Sequence, residues 1–362
     1  MLIQAAVFVA GLVALVFGAS ALVRGASRLA LSFGISPLVV GLTIVAFGTS
    51  APEMAVSTSA VLDGQTDIAV GNVVGSNIFN VLFILGISAL VAPLIVHVQL
   101  IRQEVPIMIG SALLLLALGL DGRISWWDGA LLMAVMLAYT VFLIVQSRRE
   151  SSAITEYDTA LKPPERDAWD ARWPVQMALI AVGLVLLVAG SDWLVSASVV
   201  FAQALGVSDL VIGLTIVAAG TSMPEVATSL TAAFKGERDI AVGNVVGSCT
   251  FNTLGCVGLS GLAAGSLGLT LAPSILTFDI WVMLAALLAC LPVFLSGREI
   301  ARWEGGVFLA YYVAYVAYMI LASKHHDALP VFSSVMLGFV LPLTIVTLVV
   351  STLRGRTPNP PP

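Results

Sequence analysis

Charge is what this sequence lacks most. Only 10% of its 362 residues are Asp, Glu, Lys or Arg, against about 25% in soluble domains. That scarcity excludes an ordinary globular enzyme, a nucleic-acid binder and a disordered scaffold. The 16 basic and 21 acidic residues leave a net charge of −5, too little for a patch of either sign. Cysteine and histidine are equally sparse, at three each. Cys249, Cys256 and Cys290 form no C-x-x-C pair and give no zinc spacing. No Lys or Arg occurs among residues 1–11. The basic leader of a signal peptide is therefore missing, and the first apolar run is read as an uncleaved helix. Also missing is the ten-residue alternation of a membrane β-barrel. What is present is apolar: 59% of the chain, at a mean hydropathy of +1.03. The expectation is an all-α polytopic membrane protein.

A bilayer core about 30 Å thick needs about 20 apolar residues per helix. Spans are expected near residues 3–23, 36–60, 68–92, 104–120, 126–146, 174–195, 208–232, 240–264, 274–295, 303–322 and 329–352. With eleven spans, the side holding the N-terminus carries only Arg123 and Lys324. The opposite side carries the remaining 14 basic residues, from Arg24 and Arg28 to Arg354 and Arg356. The positive-inside rule then places the N-terminus outside and the C-terminus in the cytoplasm of a cell-membrane protein. The long connection Ser147–Trp173, broken by Lys162-Pro163-Pro164, falls on the cytoplasmic side. It is too short for a folded domain and reads as a solvated linker with room for one short surface helix. The expected units are 1–146 and 174–323, of five spans each, joined by the linker 147–173, with an extra helix and tail over 324–362.

Self-similarity explains the two units. Gly41–Asn80 and Gly213–Asn252 align without a gap at an offset of 172 and are identical at 27 of 40 positions. The shared cores are GTSxPE and GNVVGS, which are small and polar where packing alone would favour bulk. Each unit has five spans, an odd number, so the second enters the membrane the opposite way from the first. Inverted repeats with interrupted helices mark secondary transporters that bind ions near the midplane.

Glu53 and Glu225 lie deep in apolar spans, where an ionised carboxylate is costly. Ser50-Ala51-Pro52-Glu53 and Ser222-Met223-Pro224-Glu225 read locally as helix starts, with Ser as cap and Pro in the first turn. Each GTSxP should break its span into two half-helices. The carboxylate is not needed for capping and is assigned to function. Proline frees carbonyls near Ala46–Gly48 and Ala218–Gly220, and Thr49, Ser50, Thr221 and Ser222 add hydroxyls. A second polar set follows: Gly71, Asn72, Gly75, Ser76 and Asn80, matched by Gly243, Asn244, Gly247, Ser248 and Asn252. The glycines suit close helix packing; Asn80 and Asn252 suit ligation or interhelical hydrogen bonds. All-oxygen donors favour Na⁺, K⁺, Ca²⁺ or Mg²⁺ over zinc or copper. Two carboxylates balance one Ca²⁺, whereas three Na⁺ leave one positive charge over. Asp67 and Asp239 fit helix starts. Asp192, Asp209 and Asp279 sit near span ends within reach of water, His97, His325 and His326 lie in loops, and Trp126, Trp127 and Trp303 fit the interfacial belt.

GTSAPE with GNVVGSNIFN, and GTSMPE with GNVVGSCTFN, resemble the two alpha-repeats of the cation/calcium antiporter superfamily, specifically prokaryotic sodium/calcium exchangers. The resemblance implies that Glu53 and Glu225 coordinate Ca²⁺ and Na⁺. It also implies ligands at Ala46, Thr49, Ser50, Ala218, Thr221 and Ser222, and at Ser76, Asn80, Ser248 and Asn252. It implies transported ions as substrates and no cofactor. Two features depart from the pattern. Relatives often carry Asp at one of the positions of Asn80 and Asn252, and the usual count is ten spans, which leaves 329–352 extra. The leading expectation is Na⁺/Ca²⁺ antiport. The alternatives are H⁺/Ca²⁺ or other cation exchange on the same fold, and a passive channel built from paired half-helices. No nucleophile–base or metal–His motif within the spans suggests an enzyme.

Overall fold

The computed structural model describes residues 2–33, 35–157, 170, 172–204, 218–324 and 326–354. It is built from membrane-length helices: α1 (Leu2–Phe33), α3 (Thr66–Val91), α4 (Leu100–Leu118), α5 (Trp126–Tyr157), α6 (Trp173–Ala204), α8 (Arg238–Leu267), α9 (Ile275–Leu295), α10 (Arg302–Ser323) and α11 (Leu329–Val350). Helix α2 is broken into Pro37–Thr49 and Ala51–Leu62, which meet at 40°. The described part of α7 is Ala218–Gly220 followed by Met223–Phe234. Residues 208–217 of the seventh expected span lie outside the described residues, as do Lys162-Pro163-Pro164, Asp209, His325 and Arg356. The other ten expected spans are all present.

Two boundaries differ from expectation. Helix α1 runs ten residues past the expected end, because its length packs along α6. Helix α5 continues to Tyr157, so the first part of the linker prolongs a span rather than forming a separate surface helix. The linker's Asp170 is tied to α1: Arg24 Nε donates to its carboxylate at 2.7 Å and Arg28 Nε at 3.2 Å.

Helices α1 and α6 approach backbone to backbone. A Cβ added at Gly11 would stand 2.8 Å from the Gly190 carbonyl oxygen, and one at Gly18 would stand 2.9 Å from that of Gly183. The same contact recurs where α3 meets α10, at Gly86 and Gly305, and where α8 meets α5, at Gly261 and Gly129. Without a hydrophobic drive between helices in lipid, such close approach supplies the packing energy.

Short ribbons join the connections. Strand β1 (Leu94–Ile95), between α3 and α4, pairs antiparallel with β4 (Glu299–Ile300), between α9 and α10. Strand β2 (Arg123–Ile124), between α4 and α5, pairs with β3 (Leu269–Thr270), between α8 and α9. Paired loops share one side of a membrane. The α3–α4 and α9–α10 connections therefore lie on one side, and α4–α5 and α8–α9 on the other. Lys235 Nζ in the α7–α8 connection donates to the Ser20 carbonyl of α1.

Candidate functional site

The breaks in α2 and α7 place the candidate residues. Ser50 has φ −80° and ψ 4°, and Ser222 has φ −88° and ψ 9°, so each leaves helical geometry just before a segment with proline in its first turn. Neither serine caps that segment with its side chain, which corrects the local reading of the sequence. Both hydroxyls cross to the other half instead. Ser222 Oγ donates to Glu53 Oε1 at 2.7 Å, and Ser50 Oγ donates to Glu225 Oε1 at 3.2 Å. Ser50 and Ser222 stand 172 residues apart, as do Glu53 and Glu225, so one contact is made twice. A hydroxyl has a single proton, and a buried carboxylate is a stronger acceptor than any neutral group nearby.

Both glutamates are fully buried, and each keeps its Oε2 without a hydrogen-bond partner. The Thr221 hydroxyl, the Ser76 hydroxyl and both amide atoms of Asn80 are likewise buried and unpartnered. Buried polar atoms are ordinarily satisfied, and bare oxygens on both carboxylates, Thr221, Ser76 and Asn80 have the chemistry of donors to a hard cation, which takes 6–8 oxygens. Among the described residues no group of three or more His, Cys, Asp and Glu is placed to hold a metal.

Other expected residues are already engaged. Thr49 Oγ1 lies 3.3 Å from the Ala46 carbonyl, 3.0 Å from Asn244 Oδ1 and 3.5 Å from Ser248 Oγ. Ser248 Oγ donates to Glu225 Oε1 at 3.4 Å. The Ala46 carbonyl also accepts from the Ser50 amide at 3.0 Å; it is not released by Pro52. The carbonyl that Pro224 releases, that of Gly220, accepts from Ser191 Oγ of α6 at 2.6 Å. Ala218 begins the described part of α7 at the position matching Ala46. Asn252 is bonded to Asn77 and Cys256 rather than to the glutamates.

A supporting layer lies behind the carboxylates. Asn72 Nδ2 donates to Ser57 Oγ at 3.0 Å, and Asn244 Nδ2 donates to Ser229 Oγ, again at 3.0 Å. The two serines were not anticipated, although they occupy matching positions of the repeat. Asn80 and Asn252 each lie in a π-helical turn, Phe79–Leu85 and Asn252–Cys256, a distortion that often re-aims side chains at functional sites. The sequence reading also missed Glu104. It is fully buried, and it accepts from Tyr139 Oη at 2.7 Å, Gln99 Nε2 at 3.1 Å and Gln103 Nε2 at 2.7 Å. Its counterpart Asp279 is 7% exposed and accepts from Tyr315 Oη at 2.9 Å. Asp279 is thus held inside the protein rather than open to water.

The two matching helices differ in exposure. Every residue of Arg238–Phe251 from Ile240 onward is buried, whereas Gly71, Asn72 and Gly75 in α3 are half-buried.

Membrane-spanning helices, broken at two prolines around paired buried carboxylates, define a polytopic membrane transporter. The chain belongs to the sodium/calcium exchanger protein family, which matches residues 3–145 and 175–321. It is similar to CaxA of Alkalimonas amylolytica, 38% identical over 335 residues, covering 89% of this chain and 100% of CaxA. It is similar to the inner membrane protein YrbG of Escherichia coli K12, 38% identical over 72% of this chain and 80% of YrbG. The sodium/calcium exchanger MaX1 of Methanosarcina acetivorans is 33% identical over 84% of this chain and 95% of its own. Among solved structures, the sodium-calcium exchanger NCX_Mj, soaked with 2.5 mM Na⁺ and 0.1 mM Ca²⁺, superposes with a TM-score of 0.74 at 29% identity. That match covers 88% of this chain and 98% of the other. The protein is therefore a multi-pass membrane transporter of the cation/Ca²⁺ antiport type, not an enzyme.

Proposed function

We propose that the protein exchanges Na⁺ for Ca²⁺ by alternating access at one midplane site built around Glu53 and Glu225. The observation that carries this reading is the crossed pair Ser50–Glu225 and Ser222–Glu53, with one bare carboxylate oxygen left on each glutamate. Two carboxylates sharing the site attract a divalent cation strongly and release it when Na⁺ competes for the same oxygens. Thr49, Ser50, Thr221, Ser222, Ser76, Asn80, Ser248 and Asn252, with the carbonyls of Ala46 and Ala218, complete the ligand set from which both ions draw. Direct linkage between the halves lets one site respond to the rocking of either half.

The chain is assigned two five-span units, 1–146 and 174–323, of opposite topology, with the N-terminus outside and the C-terminus in the cytoplasm. On that topology the half-buried residues Gly71, Asn72 and Gly75 lie toward the outside, and the buried α8 residues Gly243 and Asn244 toward the cytoplasm. The exposure difference supports an outward-open state.

Uptake of radioactive Ca²⁺ into proteoliposomes tests the reading. Vesicles loaded with Na⁺ and diluted into Na⁺-free buffer accumulate Ca²⁺, and vesicles loaded with K⁺ or given only a pH gradient do not. Uptake driven by the pH gradient alone transfers the protein to proton coupling. Uptake without any imposed gradient dependence makes it a channel. Glu53→Gln and Glu225→Gln abolish the Na⁺-driven signal while the protein stays monodisperse; full activity in both removes the two-glutamate site.

A further inference from the structure

A chain of hydrogen bonds of fixed polarity ends on Asn252. It begins at the carbonyl of Cys249, which accepts only. Thr253 Oγ1 stands 2.8 Å from that oxygen and donates its single proton there. Toward Asn77, 2.9 Å away, Thr253 is left as an acceptor, so Asn77 presents Nδ2. The second proton of that amide faces Met283 Sδ at 3.5 Å, another acceptor. Asn77 Oδ1 accordingly turns the other way, where Asn252 Nδ2 donates to it at 3.3 Å. Asn252 Oδ1 is then directed away from Asn77, with a weak Cys256 thiol contact at 3.6 Å. Asn77, Asn252 and Thr253 are all buried, so water does not compete for these bonds.

We propose that Thr253 and Asn77 are positioning residues that fix the Asn252 amide with its carbonyl oxygen, not its protons, turned to the transported cation. The inference rests on Asn252 being a ligand, as in the proposed function. An asparagine has a donor end and an acceptor end, and a cation tolerates only the acceptor. The other half has no such chain. The positions matching Asn77 and Thr253 are Cys249 and Val81, so Asn80 faces only a thiol, a weak partner, and neither of its amide atoms is held by an oxygen or nitrogen. The site therefore holds one carboxamide oriented in advance and one that turns as the ion load changes.

Thr253→Val keeps the shape and removes the anchor. The Ca²⁺ concentration for half-maximal Na⁺-driven uptake is expected to rise about tenfold, equivalent to about 1.4 kcal/mol, with the maximal rate little changed. The rise in melting temperature on adding Ca²⁺ to the detergent-purified protein should shrink in parallel. Thr253→Ser restores both. In an Asn252→Asp background either end of the side chain is an oxygen, so adding Thr253→Val should have no further effect. Wild-type half-saturation and thermal shift in Thr253→Val overturn the proposal. So does an equal effect with and without Asn252→Asp, which marks a packing defect. If Thr253→Val is not monodisperse, Asn77→Ala is read by the same criteria. Glu53→Gln, run alongside, separates the two readings: loss of Ca²⁺ binding there with no effect of Thr253→Val leaves the site standing and removes only the chain.

Discussion

A glutamate at membrane depth is held here by a serine from the opposite half, and the two copies of that contact are not equal. Ser222 stands 2.7 Å from Glu53 and Ser50 3.2 Å from Glu225. Hydrogen bonds to charged groups contribute about 1.5–3 kcal/mol. Ser222→Ala is therefore expected to lower the melting temperature more than Ser50→Ala, with both variants losing Ca²⁺ affinity. Identical melting curves count against the crossed pair. The glutamates and serines were legible from the repeat, because both copies carry them at one spacing. What the serines do was not: capping is decided within one helix, whereas the carboxylate that outcompetes the backbone comes from 175 residues away for Ser50 and 169 for Ser222. Asn77 and Thr253 escaped for a related reason, since the second copy has no counterpart to flag them. Outside the membrane, the Arg24 guanidinium beside Asp170, helped by Arg28, holds that carboxyl below its usual range. A carboxyl depressed in the folded protein stabilises it above its unfolded pKa of about 3.9, and the contribution disappears as pH falls through the lower folded value. Asp170→Asn should cost about 1 kcal/mol at neutral pH, since the arginines are partly exposed. It should also blunt the fall in melting temperature below about pH 4, read by a thermal scan against pH.

Between elements, glycine sets the distances. Gly247 meets Ala46 Cβ at 2.7 Å and the Leu42 carbonyl oxygen at 2.8 Å from where its own Cβ would be, so α8 lies directly on the first half of α2. The small-residue spacing of Gly243 and Gly247 announced that contact. The α1–α6 seam lies outside the repeated motif, and its signal is subtler: Gly11, Gly18 and Gly25 recur every seven residues and face Gly190, Gly183 and Gln176 in reverse order. A side chain at the centre of the seam would meet backbone rather than a flexible neighbour. Gly183→Leu should therefore separate the helices at a cost of about 1–3 kcal/mol or more. Detergent melting measures the loss; a melting point equal to wild type would show that the seam yields without cost. Helix boundaries were the least legible feature. Hydropathy finds where a chain enters lipid, but α1 persists past that point because Gly25, Ala26, Leu29 and Ala30 are still buried in packing, and α5 runs on to Tyr157.

Across the whole molecule, the ribbons β1–β4 and β2–β3 bind loops of one half to loops of the other on both sides of the membrane. They fix which connections share a side; on the proposed topology the α3–α4 and α9–α10 connections are the cytoplasmic ones. Single cysteines at Arg298 and Lys324 check the assignment: an impermeant thiol reagent added to intact cells should label position 324 and spare 298. Labelling in the reverse pattern inverts the topology. Helix α11 lies beyond residue 321, where the family match ends, and no residue from Leu329 to Val350 is buried. A chain ending after Ser323 should keep Na⁺-driven Ca²⁺ uptake; its loss would make α11 part of the working unit. The crossed serine–glutamate bonds have a further consequence. On the proposed function neither half contains a whole site, because each supplies the donor for the other's acid. On the proposed topology the halves also point in opposite directions. A gene for one half alone would give a functional protein only if its product inserted both ways up and the two forms dimerised, which demands loops of almost balanced charge. Joining two copies in one chain lifts that demand, and it leaves each copy free to acquire the lopsided loops, and the unmatched asparagine, that this sequence displays.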